Sequence, residues 1–268
     1  MSEFAPDSPL VSEVKVSPNQ SERREGRRPD LLVLHYTGME NAEAALDRLC
    51  GAGHQPGRGV SVHYFVHEDG RVIQCVPEER RAWHAGVSCW EGDADVNSRS
   101  IGIEIANPGH DFGYPDFPEA QIRQVIALCR DIVARRSIRA DRVLAHSDVA
   151  PSRKADPGEK FPWRRLLEAG AGLWVEPTPI AAGPVLAPGD RNAGVSQLQG
   201  LLAEYGYPVN PSGFYGDETR DVVAAFQRHF RPARVDGIAD GSTLDTLERL
   251  VIARRALLSR ARMQARAT

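Results

Sequence analysis

The chain has 268 residues, enough for one large domain or for a large and a small one. With 41% hydrophobic and 26% charged residues it reads as soluble and globular, and a net charge of −3 supplies no field that would favour nucleic acid. No window approaches the roughly 18 apolar residues of a membrane span, so no transmembrane segment is expected.

In chain order, residues 1–28 are polar, contain Pro and Ser, and end in "SERREGRR"; they predict an extended or disordered arm. They have no basic start followed by an apolar run, so no secretory signal is read there. The apolar run Leu31 to Leu34 in "PDLLVLHYTG" predicts a buried strand that delivers His35 at its end. "NAEAALDRLCG" has helical spacing, with Ala44, Ala45, Leu46 and Leu49 apolar and Gly51 as the stop. "VSVHYFVHEDGRVIQCV" predicts a hairpin about Asp69-Gly70. A compact strand follows in "SRSIGIEIAN". Next comes an amphipathic helix in "PEAQIRQVIALCRDIVARR", where Ile122, Val125, Ile126, Cys129, Ile132 and Val133 share a face. "DRVLAHSD" is again a short strand ending in a His. This order predicts an α/β fold over residues 29–174, a mixed central β-sheet flanked by helices.

Composition changes after Trp174. "VEPTPIAAGPVLAPGD" is Pro-rich and predicts a semi-extended linker, residues 175–189. Three helical patterns then fill residues 190–252, a small three-helix C-terminal domain. The basic tail, residues 253–268, carries five Arg and no acid, and reads as a solvated helix end rather than a binding patch. Cys50, Cys75, Cys89 and Cys129 show no metal-ligand spacing and read as free thiols, which fits a reducing compartment.

Eight histidines are present, and strand ends and the loops beyond them are where sites are built. His35 and His146 both close apolar strand runs, and Asp156 lies in the Pro-bounded loop "AHSDVAPSRKADPG". Two imidazoles and one carboxylate would leave a zinc ion one open position, the arrangement of a catalytic site. Spacing alone does not separate this from ordinary hydrogen-bonded histidines. Along "SIGIEIAN", Ile101, Ile103 and Ile105 alternate with Gly102 and Glu104. Glu104 therefore faces away from the isoleucines, and a lone carboxylate in an apolar strand points to a cleft.

Five motifs, "LLVLHYTG", "VSVHYFVHEDGRVIQ", "AWHAG", "SIGIEIAN" and "AHSDVAPSRKADPG", resemble in this order those of the zinc-dependent N-acetylmuramoyl-L-alanine amidases. The resemblance covers roughly residues 28–170. It implies the fold shared with T7-type lysozymes and peptidoglycan recognition proteins. It also implies hydrolysis of the amide between N-acetylmuramic acid, or its 1,6-anhydro form, and L-alanine of the stem peptide. On this likeness Zn2+ is held by His35, His146 and Asp156, Glu104 is the general base, and Lys154 is a cation for the oxyanion. Trp83, His84, Ala85 and Asn107 fall at positions implied to meet substrate, and His63 reads as a packing residue or one that supports the site from behind. Where the phage enzymes have a catalytic Tyr this chain has Val62, so the mechanism with Glu104 is the relevant one.

The stretch from "VSQLQGLLAEYGY" to "DGIADGSTLDTL" resembles the three-helix peptidoglycan-binding domain. Thr219 or Asp217 is expected to cap the helix that carries Phe226, itself expected in the core. The implied partner is peptidoglycan or a soluble muropeptide, in cell-wall recycling or remodelling. The other reading is a non-catalytic peptidoglycan recognition protein. Such proteins lack a metal ligand, usually the counterpart of Asp156, whereas here the set is complete. Free thiols and the N-terminal composition point to the cytoplasm, and a wall-binding domain points to the periplasm or envelope. For the chain as written the cytoplasm is expected, with the periplasm or envelope as the alternative if a leader has been removed, and the oligomeric state is left open.

Overall fold

The structure, a computed structural model, describes residues 4–51 and 59–267, with side chains through Met263 in the last helix. Residues 1–3 of the expected arm and Thr268 of the expected tail lie outside the described residues. The elements are β1 (Glu13–Val14), β2 (Gln20–Glu22), β3 (Leu31–Tyr36), α1 (Ala42–Cys50), β4 (Tyr64–Val66), β5 (Val72–Gln74), β6 (Arg80–Ala82), α2 (Val96–Arg99), β7 (Ser100–Ile105), α3 (Glu119–Arg136), β8 (Val143–Ala145), α4 (His146–Val149), α5 (Trp163–Glu168), α6 (Ala193–Tyr205), α7 (Asp217–Phe230) and α8 (Gly241–Ala267).

Six strands form a mixed sheet in the order β1-β5-β4-β7-β3-β8, with β3 lying between β7 and β8 and parallel to both. Leu31 to Leu34 are fully buried because this strand is covered on both faces. One face carries Leu32, Leu34, Ile101, Ile103 and Ile105, packed on Ile122, Val125, Cys129 and Ile132 of α3. That contact explains the isoleucine alternation and the periodic apolar face of the helix. The opposite face is divided. Phe65, Ile73 and Cys75 meet Leu46 and Leu49 of α1, a helix started by Asn41, which accepts the Ala44 N–H at 3.0 Å. Leu31, Val33 and Leu144 instead join a core made largely by α6, α7 and α8.

The arm is not loose. β1 extends the sheet edge by parallel pairing with β5, and β2 pairs antiparallel with β6. Arg23 is buried and donates to the carbonyls of Glu78, Asn97 and Ser98. These partners are 55 or more positions away, which is why local composition did not register them.

Among the C-terminal helices, a pair of buried glutamines shapes the turns. Gln199 donates to Phe214 O and Thr219 Oγ1 and accepts the Gly213 N–H. Gln227 accepts the N–H groups of Asp236 and Gly237 and donates to Ile238 O. Thr219 is thus a buried partner of Gln199 rather than the cap of α7, whose cap position is Gly216 without a side-chain bond. Phe226 is fully buried in the core. The expected linker is also engaged, since Leu186 and Ala239 exchange backbone hydrogen bonds at 2.9 Å. Residues 253–267 continue α8 and are no separate tail. Arg254 is buried against Asp141 and Glu91 of the sheet domain.

Candidate active site

The carboxyl ends of the central strands open into a cleft of about 510 Å³, the usual place for a site in an open α/β sheet. His35, near the end of β3, is paired in register with Glu104 of β7, so their side chains leave the sheet on the same face. His146 is the first residue of α4, directly after β8. Asp156 returns to it because Ser147 N–H donates to the Asp156 carbonyl at 3.0 Å. His35, His84, Glu104, His146, Lys154 and Asp156 all line the cleft.

Three donor atoms converge. His35 Nδ1 and His146 Nδ1 are 2.9 Å apart, and Asp156 Oδ2 lies 3.0 Å from His146 Nδ1 and 3.3 Å from His35 Nδ1. A tetrahedral ion with arms of about 2.0–2.1 Å has edges of about 3.4 Å, so the triangle is close to what such an ion requires. Among the described residues these three form the one group able to hold a metal ion. Burial, with His146 alongside, lowers the His35 pKa to about 4, so the imidazole is neutral and ligand-ready at neutral pH. Burial opposes ionisation of Asp156, but the His146 and His35 imidazoles beside it outweigh burial and hold the carboxyl well below its usual range.

The outward nitrogens fix the ring tautomers. Ser100 Oγ donates to Val96 O at 2.7 Å and therefore accepts from His84 Nε2–H at 3.0 Å. His84 Nδ1 is then an acceptor for His35 Nε2–H at 2.9 Å, which leaves the His35 Nδ1 lone pair facing the metal position. His146 Nε2–H donates to Ala85 O at 3.2 Å, with the same result. Gly102 makes room for this relay: a Cβ there would lie 2.7 Å from the His84 ring.

The sequence places Trp83, His84, Ala85 and Asn107 against substrate; the structure gives each of them partners within the chain. His84 reaches the cleft but is committed to His35 and Ser100. Trp83 lies outside the cleft lining, with its indole N–H on Ser21 Oγ. Ala85 offers its carbonyl to His146 and Arg153. Asn107 is buried, accepting from Gly109 N–H and donating to Pro115 O. For Trp83, His84 and Ala85 these partners come from distant parts of the chain. His63, read as packing, is buried and accepts the Gly102 N–H at 3.0 Å, beyond the start of β4. Sequence reasoning missed Tyr36, Arg48, His110 and Arg153 in the lining. Only the position of Tyr36 beside His35 could have signalled any of them.

Burial, with Asp156 nearby, raises the Glu104 pKa well above the carboxylate norm, and Lys154 opposes that rise. A carboxyl whose proton affinity is raised in this way is a stronger base than an exposed one.

Residues 25–159 match the family profile of N-acetylmuramoyl-L-alanine amidase, and residues 191–247 match that of a peptidoglycan-binding domain. The amidase AmiD of Escherichia coli is 37% identical over 236 residues, spanning 84% of this chain and 83% of AmiD. A solved complex of the E. coli AmiD with anhydro-N-acetylmuramic acid-L-Ala-D-gamma-Glu-L-Lys superposes with a TM-score of 0.69 at 38% identity, covering 87% of this chain and 92% of that one. AmpDh3 of Pseudomonas aeruginosa with an anhydromuramic pentapeptide gives a TM-score of 0.66 at 30% identity, covering 85% and 93%.

Proposed function

Because the chain belongs to the N-acetylmuramoyl-L-alanine amidase family and carries a peptidoglycan-binding domain behind its amidase domain, we propose that it is a zinc-dependent hydrolase of muramyl peptides. The bond cleaved is the amide between N-acetylmuramic acid, or its 1,6-anhydro form, and L-alanine. One observation carries the reading: a complete His-His-Asp set with Glu104 placed beside it by strand register.

His35, His146 and Asp156 would hold the metal, with two imidazoles and one carboxylate suiting zinc. When bound, it would polarise the amide carbonyl and acidify water. The chain's own residues do the rest. Glu104 takes the proton from the attacking water and delivers it to the leaving amine of L-alanine. Lys154 lines the same cleft and acts electrostatically on both Glu104 and His35, so it is placed to stabilise negative charge on the carbonyl oxygen. The His84 and Ala85 bonds keep both imidazoles in the ligand tautomer.

The test is a product assay by mass spectrometry on intact sacculi and on a soluble anhydro-muramyl tripeptide. Free stem peptide that vanishes with chelator and returns with zinc supports the proposal. Binding to sacculi with no cleavage of either substrate would overturn it in favour of recognition alone. Preference for the soluble peptide would favour recycling in the cytoplasm, and preference for sacculi would favour the envelope.

A further inference from the structure

Asp148 has no part in the chemistry above, yet it stands two residues from His146. Its Oδ2 accepts the Ala145 N–H at 2.7 Å, closing the amino end of the short helix that presents His146. Its other partners come from beyond the linker. Tyr207 O–H donates to Oδ1 at 2.6 Å, and His229 donates from Nδ1 to Oδ2 at 2.7 Å. All three side chains are buried, with Asp148 fully so. The His229 ring is stacked between Trp163 and Phe230 at centroid distances of 3.6 and 3.8 Å, which leaves it little freedom to follow a carboxylate that moves. Tyr207 is held edge-on against Trp90. A buried carboxylate that loses one of these donors is left partly unsatisfied. The relief open to it is a rotation that drags α4, and with α4 the His146 ring.

We infer that Asp148 is a positioning residue for the metal ligand His146, and that Tyr207 and His229 of the C-terminal domain hold it in place. The peptidoglycan-binding domain thus contributes to the geometry of the reacting site as well as to polymer capture. The inference rests on the metal-dependent reading proposed above.

The test uses full-length His229→Leu and Tyr207→Phe, with His229→Asn as a rescue because its side-chain N–H can stand where Nδ1 stands. Zinc affinity is read by competition with a chromophoric chelator, site geometry by the visible spectrum of the Co2+-substituted protein, and kcat and KM on a soluble muramyl peptide. The Leu and Phe variants should bind zinc about tenfold more weakly, as is usual when support behind a ligand is lost. They should also shift the Co2+ spectrum and lower kcat at unchanged KM, and His229→Asn should recover most of this. Variants with lowered Tm but unchanged metal affinity and spectrum would reduce Asp148 to interdomain packing and overturn the inference. If His229→Leu does not fold, Tyr207→Phe decides by the same measurements. Wild-type protein that binds no metal would overturn the functional reading as well, whereas normal wild-type binding with insensitive variants overturns this inference alone.

Discussion

Glu104 and Gly102 occupy one face of β7, two residues apart, and do opposite things for the site. Glu104 supplies a carboxyl; Gly102 supplies the absence of a side chain. Glu104→Gln should keep its metal, since it is not among the three converging donors, and lose turnover by roughly 10²–10⁴-fold. Elemental analysis and single-turnover rates check this, and wild-type rates would move the base elsewhere. Gly102→Ala should act indirectly. The added Cβ would sit 2.7 Å from a ring held on two sides by His35 and Ser100, so the ring must shift and release His35. We expect metal affinity to fall about tenfold with the fold intact. Unchanged affinity in a chelator titration would show that His84 does not govern His35. Glu104 was legible from the alternation of isoleucines. The role of His84 was not, because its partners His35 and Ser100 are 49 and 16 residues away.

At the scale of elements, β4 and α3 are joined through one carboxylate. Glu78 is fully buried and accepts from Tyr64, Arg135 and Arg136. Burial pushes its pKa up, but these donors outweigh burial and bring it to about 2. A folded pKa below the unfolded value of about 4.3 means stability that is full above the latter and is lost as pH falls toward about 2. Glu78→Gln should therefore unfold more easily at neutral pH, by about 2 kcal/mol. Its denaturation midpoint should also change less with pH between about 4.5 and 2 than that of the wild type. Parallel midpoints for the two proteins across that range would assign the acid sensitivity to other groups. The helices α1 and α3 and the strand β3 were readable because each buries one face with its own period. The short strands β1 and β2 were not, since runs of two or three residues with no apolar period acquire strand geometry only from the strand they pair with.

At the scale of the whole molecule, one hydrophobic cluster crosses the expected domain boundary, running from Leu31, Val33 and Val149 to Leu202, Phe226 and Leu250. Trp90 seals it against Gly206, where a Cβ would lie 2.7 Å from the indole. Arg254 fastens α8 to Asp141 and Glu91 on the other side. Domains that share a core should unfold together. Calorimetry on the full chain should give a single transition with matching calorimetric and van't Hoff enthalpies. Two separable transitions would show the C-terminal domain to be an independent appendage.

Residue types and their local order determined the class of the protein: an α/β sheet domain followed by three helices, two histidines at strand ends, and a carboxylate on an otherwise apolar strand. Periodicity and motif are local properties, so a linear reading reaches them. Tertiary structure alone decided which side chains converge on the cleft and which hydrogen-bond the converging histidines. It also decided that the arm belongs to the sheet and that Tyr207 and His229 of the C-terminal helices bond Asp148 beside His146. Those facts depend on partners far apart in sequence, brought within hydrogen-bond distance only when the chain closes its core.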